Sequence, residues 1–210
     1  MYKTIKKKEE AIFIEKKSKF IAELYPIKSK EEAEETIQGI RKKYYDAKHH
    51  CYAYRIKTET ETIEKSSDDG EPSGTAGSPM LHVLQKEELF NVLIVVTRYF
   101  GGILLGTGGL VRAYTQAMQN AMAKAEFVQE ENGYWIEITI PYNELGKCQF
   151  YCKKQHIEVL HIQYEENIKI TLQVTKKEKE KIEKERQNLG FYVKNITIFP
   201  NKIIQKNIEK

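Results

Sequence analysis

The segment Val95–Arg112, VVTRYFGGILLGTGGLVR, constrains this chain more than any other, because five glycines separate a strand-like apolar run from a helix-like one. A strand that feeds a glycine-rich loop and then a helix gathers unpaired backbone N–H groups at one point, an arrangement suited to anions. Gly101, Gly102, Gly106, Gly108 and Gly109 permit close backbone approach, and Arg98 and Arg112 flank the loop with permanent positive charge. Neither standard nucleotide motif is spelled out. A P-loop needs Lys-Ser/Thr after its last glycine, whereas Gly106 is followed by Thr107 and Gly108. A dinucleotide fingerprint begun at Gly106 needs glycine where Val111 stands. ATP and NAD therefore drop down the list of ligands.

A length of 210 residues allows one large or two small domains. No apolar run approaches the ~20 residues that span a bilayer, so no membrane association is expected. The N-terminus mixes acids into its lysines and has no signal-peptide core. Three widely spread cysteines fit a reducing compartment, and the expected location is cytoplasmic. A net charge of +4 permits an RNA or phosphate partner without demanding one.

Periodicity predicts an α+β fold in two domains, 1–130 and 134–210, joined through Glu130-Glu131-Asn132-Gly133. In the first, strands are expected at Lys3–Lys8, Ala11–Lys17 and Lys19–Ile27, followed by a helix from Ser29 to about Tyr45. A strand at His50–Lys57 leads through a Thr/Glu stretch into SSDDGEPSGTAGSP. A helix over Met80–Leu89, a strand over Val92–Arg98 and a helix over Leu110–Phe127 complete the domain. In the second, strands Tyr134–Tyr142, Ile157–Tyr164, Ile168–Thr175 and Phe191–Phe199 alternate with helices Asn143–Gln155 and Lys176–Leu189. The order βαββαβ is that of a ferredoxin-like domain.

The loop carrying Asp68, Asp69, Gly70, Glu71, Gly74, Thr75 and Gly77 sets three carboxylates before small residues at a helix start. It reads either as a capped surface turn or as half of a composite pocket. In the second reading its acids hold Mg²⁺ or orient the loop against Arg98 and Arg112. His49, His50 and Tyr52 are candidates to line that pocket. Adjacent strand residues point to opposite faces, so His49, His50 and Cys51 cannot converge on one ion, and no spacing matches a zinc template. Cys148, Cys152 and His156 share a helix face, which with Leu145 reads as a core stripe rather than a metal site. The run KKEKEKIEKER is a solvated helix face.

Three segments, DAKHHCYAYRI, SDDGEPSGTAGSPML and VVTRYFGGILLGTGGLVRAY, in this order and spacing, make the chain resemble the Impact/YigZ family, strongly from about Lys17 to Phe127. The resemblance implies an N-terminal domain like domain 2 of ribosomal protein S5 and domain IV of elongation factor G, and a tail like domain V of that factor. Both folds recur in proteins that contact structured RNA. Eukaryotic Impact regulates translation through an additional RWD domain, which is not seen in this sequence.

The leading expectation is accordingly an RNA- or ribosome-associated protein in translational regulation. Its glycine loops, Arg98 and Arg112 would receive phosphates, and Tyr99 or Phe100 would stack on a base. A protein-binding regulator and a small Mg²⁺-dependent enzyme acting on a phosphorylated ligand are the alternatives. For the enzyme the sequence offers carboxylates and histidines but no recognised nucleophile, and no motif demands a cofactor.

Overall fold

The computed structural model describes residues 1–58, 60–185 and 189–207, with backbone only at 201, 202 and 205–207. The chain divides into two compact units, Tyr2–Gln129 and Glu130–Lys206.

The N-terminal unit is built on β6 (Val92–Tyr99), whose residues are buried up to Arg98 because the sheet is covered on both faces. Its strand order is β2-β3-β6-β4-β5, antiparallel throughout, with β2 at Glu9–Glu15, β3 at Ser18–Pro26, β4 at His49–Lys57 and β5 at Thr62–Ser67. The two-residue side-chain period sends Ile94 and Val96 to one face and Leu93 and Val95 to the other. On the first face α2 (Gly77–Lys86) and α3 (Gly106–Met122) pack Met80, Leu84, Leu110, Tyr114 and Met118 against Phe20, Ala22 and Leu24. On the second, α1 (Lys30–Lys43) covers Tyr54 and Ile56 with Ala33, Ile37 and Ile40. Ser29 caps α1, its hydroxyl accepting from the Glu32 N–H at 3.1 Å, with acids in the first turn and Arg41, Lys42 and Lys43 in the last. The short β1 (Tyr2–Ile5) pairs with β7 (Phe127–Ile140) as that strand leaves α3, and the Lys6 N–H donates to the Glu126 carbonyl.

The C-terminal unit runs β7, α4 (Leu145–Lys154), β8 (Glu158–Tyr164), β9 (Ile168–Thr175), α5 (Lys176–Lys184) and β10 (Asn195–Asn207). Its order β10-β7-β9-β8 is the ferredoxin-like arrangement that the βαββαβ pattern predicts. Ile136, Ile138 and Ile140 of β7 and Ile168, Ile170, Leu172 and Val174 of β9 form the inner face, packed on Cys148, Cys152 and Ile182. Both cysteines therefore belong to the core, while His156 stands outside it in a left-handed turn just past α4. Thr175 and Glu178 form a reciprocal capping box at the start of α5.

The expected linker at 130–133 is instead the middle of β7. Gly133 pairs with Thr175, and a Cβ there would sit 2.7 Å from the Val174 carbonyl oxygen and 2.8 Å from Ile204, so this glycine serves close packing and not a break. The Thr/Glu stretch conceals β5 because an edge strand with no fully buried residue carries no apolar alternation. The helices α2 and α3 begin three and four residues earlier than expected, and α3 ends at Met122, with Phe127 already in β7. The described part of α5 ends at Lys184; of its expected extension to Leu189, residues 186–188 lie outside the described residues. Among the described residues no helix is long and apolar enough to cross a membrane.

Asp68 explains the early start of α2. One carboxylate oxygen accepts from the Ala76 and Gly77 N–H groups at 2.9 and 2.8 Å, and the other from Gly74 at 2.8 Å, so a residue eight positions upstream caps the helix. Burial works to raise its pKa, but the three N–H donors prevail and hold the carboxyl below its ordinary value of 3.8. Asp68→Ala is expected to cost about 2 kcal/mol at neutral pH by chemical denaturation. Because the folded carboxyl titrates below 3.8, this contribution is complete above that pH and is lost as pH falls through the folded value. The gap between wild type and variant should therefore close in acid, and a gap independent of pH would contradict the assignment. Gly101 faces the backbone of the β2–β3 turn, where a Cβ would lie 2.0 Å from the Lys17 carbonyl carbon. Gly101→Ala should lower stability by at least about 2 kcal/mol, visible as a lower urea midpoint at unchanged slope.

Candidate functional site

The two glycine-rich loops meet at the C-terminal end of β6 and the start of α3, where Glu71 is the fastener. Its Oε1 accepts from Arg98 Nη1 at 2.6 Å and from the Tyr114 hydroxyl at 2.8 Å, which joins the first loop to β6 and α3. The side chains of Glu71 and Arg98 are only 3% and 6% exposed, so this is a buried ion pair whose partners cannot separate cheaply. Arg98 is also held by the Ser18 hydroxyl at 3.4 Å and lies between the rings of Phe20 and Phe100, 5.4 and 5.5 Å from its guanidinium. Beneath them the Cys51 sulfur lies 2.9 Å from the Asp68 carbonyl oxygen and 3.3 Å from the Tyr114 hydroxyl. Burial pushes the Cys51 thiol up to about 12 and the Tyr114 phenol higher still, so neither ionises near neutrality.

The other acids of the loop turn elsewhere. Asp69 takes Arg41 on one oxygen at 2.5 Å and the His50 N–H on the other at 2.7 Å, and Asp68 caps α2. The three carboxylates thus diverge, and no group of three potential metal ligands converges among the described residues. Thr75 bonds the Pro72 carbonyl, and Gly70 and Gly74 supply left-handed turns within the same loop.

Around this fastener lie two clefts separated by Leu105. The larger, about 410 Å³, is lined by Lys48, His49, Glu71, Pro72, Arg98, Phe100, Leu104, Leu105, Gly106, Thr107 and Leu110. The smaller, about 230 Å³, is lined by Phe13, Glu15, Lys16, Leu105, Gly109, Arg112, Ala113 and Gln116. Gly106, at φ +69°, opens α3 between them, and Leu105 at the cap position offers no side-chain acceptor. The first turn of α3 carries no acid, so its N–H groups keep their partial positive charge. Gly102 is exposed in the approach to this turn, and Gly108 is exposed within it.

Of the residues expected to line the pocket, His49 does so. Its Nδ1 lies 2.9 Å from the Asp69 carbonyl oxygen, which can only accept, so Nδ1 carries a proton. His50 instead turns to the Tyr44 carbonyl at 3.1 Å on the α1 side, where Tyr52 stacks on Tyr54 at 6.4 Å between ring centroids. The Tyr99 hydroxyl is engaged by Asp46 at 2.7 Å, an acceptor bond that raises its phenol to about 12, whereas Phe100 is 52% exposed. Arg112 borders the smaller cleft and makes no ion pair with a described carboxylate.

Sequence reasoning missed Tyr114, which reads as one more apolar position on the buried stripe of α3. It also missed Ser18, whose hydroxyl receives both Arg98 and the Gly101 N–H at 3.2 Å. Lys16 and Lys48 do not stand out among 34 basic residues, with nothing in their neighbourhood to single them out.

Residues 16–122 match the Impact N-terminal domain, and residues 138–189 match a domain of unknown function, DUF1949. The IMPACT family member YvyE of Bacillus subtilis is 40% identical over 177 residues, 84% of this chain and 81% of the relative. The IMPACT family member YigZ of Escherichia coli is 44% identical over 108 residues, 51% of this chain and 53% of the relative. A solved structure described as an hypothetical protein superposes with a TM-score of 0.62 at 25% identity, covering 96% of this chain and 97% of that one. The family match spans four of the five strands of the sheet, both glycine-rich loops and α3, and so holds every residue that lines the larger cleft and all but Phe13 and Glu15 of the smaller. The chain belongs to the IMPACT family.

Proposed function

We propose that this protein binds RNA phosphates, on the ribosome or on RNA associated with it, and acts in the regulation of translation. The observation that carries the reading is the set of cations around the uncapped first turn of α3. Lys16 and Arg112 border the smaller cleft and Lys48 the larger, and none of the three is paired to a described carboxylate. Several other lysines of the same domain are neutralised in place, as in Lys6 with Glu126, Lys8 and Lys43 with Glu23, and Lys65 with Glu34. Unpaired cations beside helix N–H groups favour a phosphate oxygen, because the cation supplies long-range attraction and the N–H groups supply direction. Glu15, in the smaller cleft, is the local opposing charge.

Arg98 plays a different part from the one expected of a phosphate ligand, since its charge is already neutralised by Glu71 inside the domain. Lys16, Lys48 and Arg112 carry the phosphate-binding role in its place. The translational part of the proposal rests on the family resemblance carried by the two loops.

Cosedimentation with ribosomes across a salt series tests the proposal. Binding should weaken steeply as salt rises, and Lys16→Ala/Arg112→Ala should bind more weakly with a salt slope shallower by about two, one for each phosphate that the missing cations no longer neutralise. Both residues border a cleft and hold no described carboxylate, so the melting temperature should not move. Wild-type protein that stays in the supernatant even at low salt, or a double variant indistinguishable from it in slope, would overturn the reading.

A further inference from the structure

We propose that the larger cleft receives a single unstacked nucleobase bearing an exocyclic amine, with its phosphate at the start of α3. This rests on the RNA-binding reading and specifies which part of the RNA enters the domain. The cleft has an apolar rim, Phe100 and Leu104 being 52% and 83% exposed, and a polar floor, Glu71 and Arg98. Its volume of about 410 Å³ lies in the range that takes a small organic ligand.

The floor is incompletely satisfied. Arg98 and Tyr114 both donate to Oε1 of Glu71, which leaves Oε2 as an acceptor on a residue that faces the cleft. Arg98 Nε is buried and has no hydrogen-bond partner among the described residues. In its neutral form His49, with Nδ1 protonated toward the Asp69 carbonyl, presents Nε2 as a second acceptor on the same wall. A ligand that meets two acceptors must bring donors, and one that crosses an aromatic and aliphatic rim must bring an apolar face. A base with an amino group has both: cytosine offers its N4 amine and adenine its N6 amine. Uracil offers a lone N–H between two carbonyl oxygens and would set an oxygen against Glu71. At the opposite wall, Gly106 and Thr107 of the first turn of α3 and the unpaired Lys48 supply what a phosphate needs. Phe100, exposed beside Arg98, provides the stacking face. A base paired in an RNA duplex is stacked on both ring faces and keeps its amine at the bottom of a deep, narrow groove, so the cleft selects single strands.

The test is fluorescence anisotropy with labelled ten-residue oligomers of A, C and U, a blunt RNA duplex, and AMP as competitor. Wild type should bind the A and C oligomers at least about fivefold more tightly than U, and more tightly than the duplex. Phe100→Ala, at an exposed position that leaves the fold intact, should weaken the A oligomer by about tenfold while changing duplex binding little. Glu71→Gln, which keeps the shape, should erase the preference for amino-bearing bases. If that variant fails to fold, the Phe100 result and the A-to-U ratio decide alone. Equal binding of A, C, U and duplex, unaffected by Phe100→Ala, would overturn the base pocket while leaving RNA binding in place. Absence of binding to every RNA would overturn both. AMP competing at the affinity of the oligomer would keep the base pocket and make a free nucleotide its ligand instead of RNA.

Discussion

A carboxylate buried between an arginine and a tyrosine holds the candidate site together. Glu71 arrives on a loop, Arg98 on the central strand and Tyr114 on a helix, and the meeting of all three at one oxygen fixes the loop relative to the sheet and α3. Such a pair is costly to desolvate, and replacing it with well-packed apolar groups is often neutral for stability. Its presence here therefore argues for placement rather than for stability alone. The approach of Glu71 is itself prepared: its N–H donates to the Asp68 carbonyl at 2.9 Å, and Asp68 is anchored by three N–H groups before α2. The cleft is consequently preformed, and a ligand need not bear the entropy of ordering two glycine-rich loops.

Charges in this domain divide by depth. Buried carboxylates are answered, Glu71 by the buried Arg98 and the fully buried Glu23 by the exposed Lys8 and Lys43, and the cations at the start of α3 answer no carboxylate among the described residues. An exposed cation can attract a phosphate from a distance, whereas a buried and neutralised one can only shape the surface that the phosphate meets. The same division separates the two clefts from the Cys51 and Tyr114 groups beneath them, whose protons are held far too tightly for transfer at neutral pH.

Much of this architecture is legible in the sequence. The apolar run of β6 between a turn and a glycine loop, and the alternation of β7 and β9, point to a two-unit α+β fold and its ferredoxin-like half. Glycine is the ambiguous letter. Gly133 marks close packing within β7, and Gly101 admits a neighbouring hairpin, because absence of a side chain looks the same whichever neighbour fills the space. Arg98 is ambiguous likewise: the sequence offers it both as a phosphate ligand and as a partner of the loop acids, and the fold shows that Glu71, 27 positions away, is the acid that neutralises it. Lys16 and Lys48 carry no special mark in the sequence because which of many cations border a cleft is a three-dimensional property.

A double-mutant cycle on Glu71→Gln and Arg98→Met, read by urea denaturation, tests the central claim most directly. If Glu71 and Arg98 form one buried unit that positions both loops, each single variant should lose about 3–5 kcal/mol. The double variant should then lose far less than the sum, with a coupling of at least about 1.5 kcal/mol. Losses that add within about 0.5 kcal/mol would mean that the two side chains act independently and that no shared ion pair preforms the cleft.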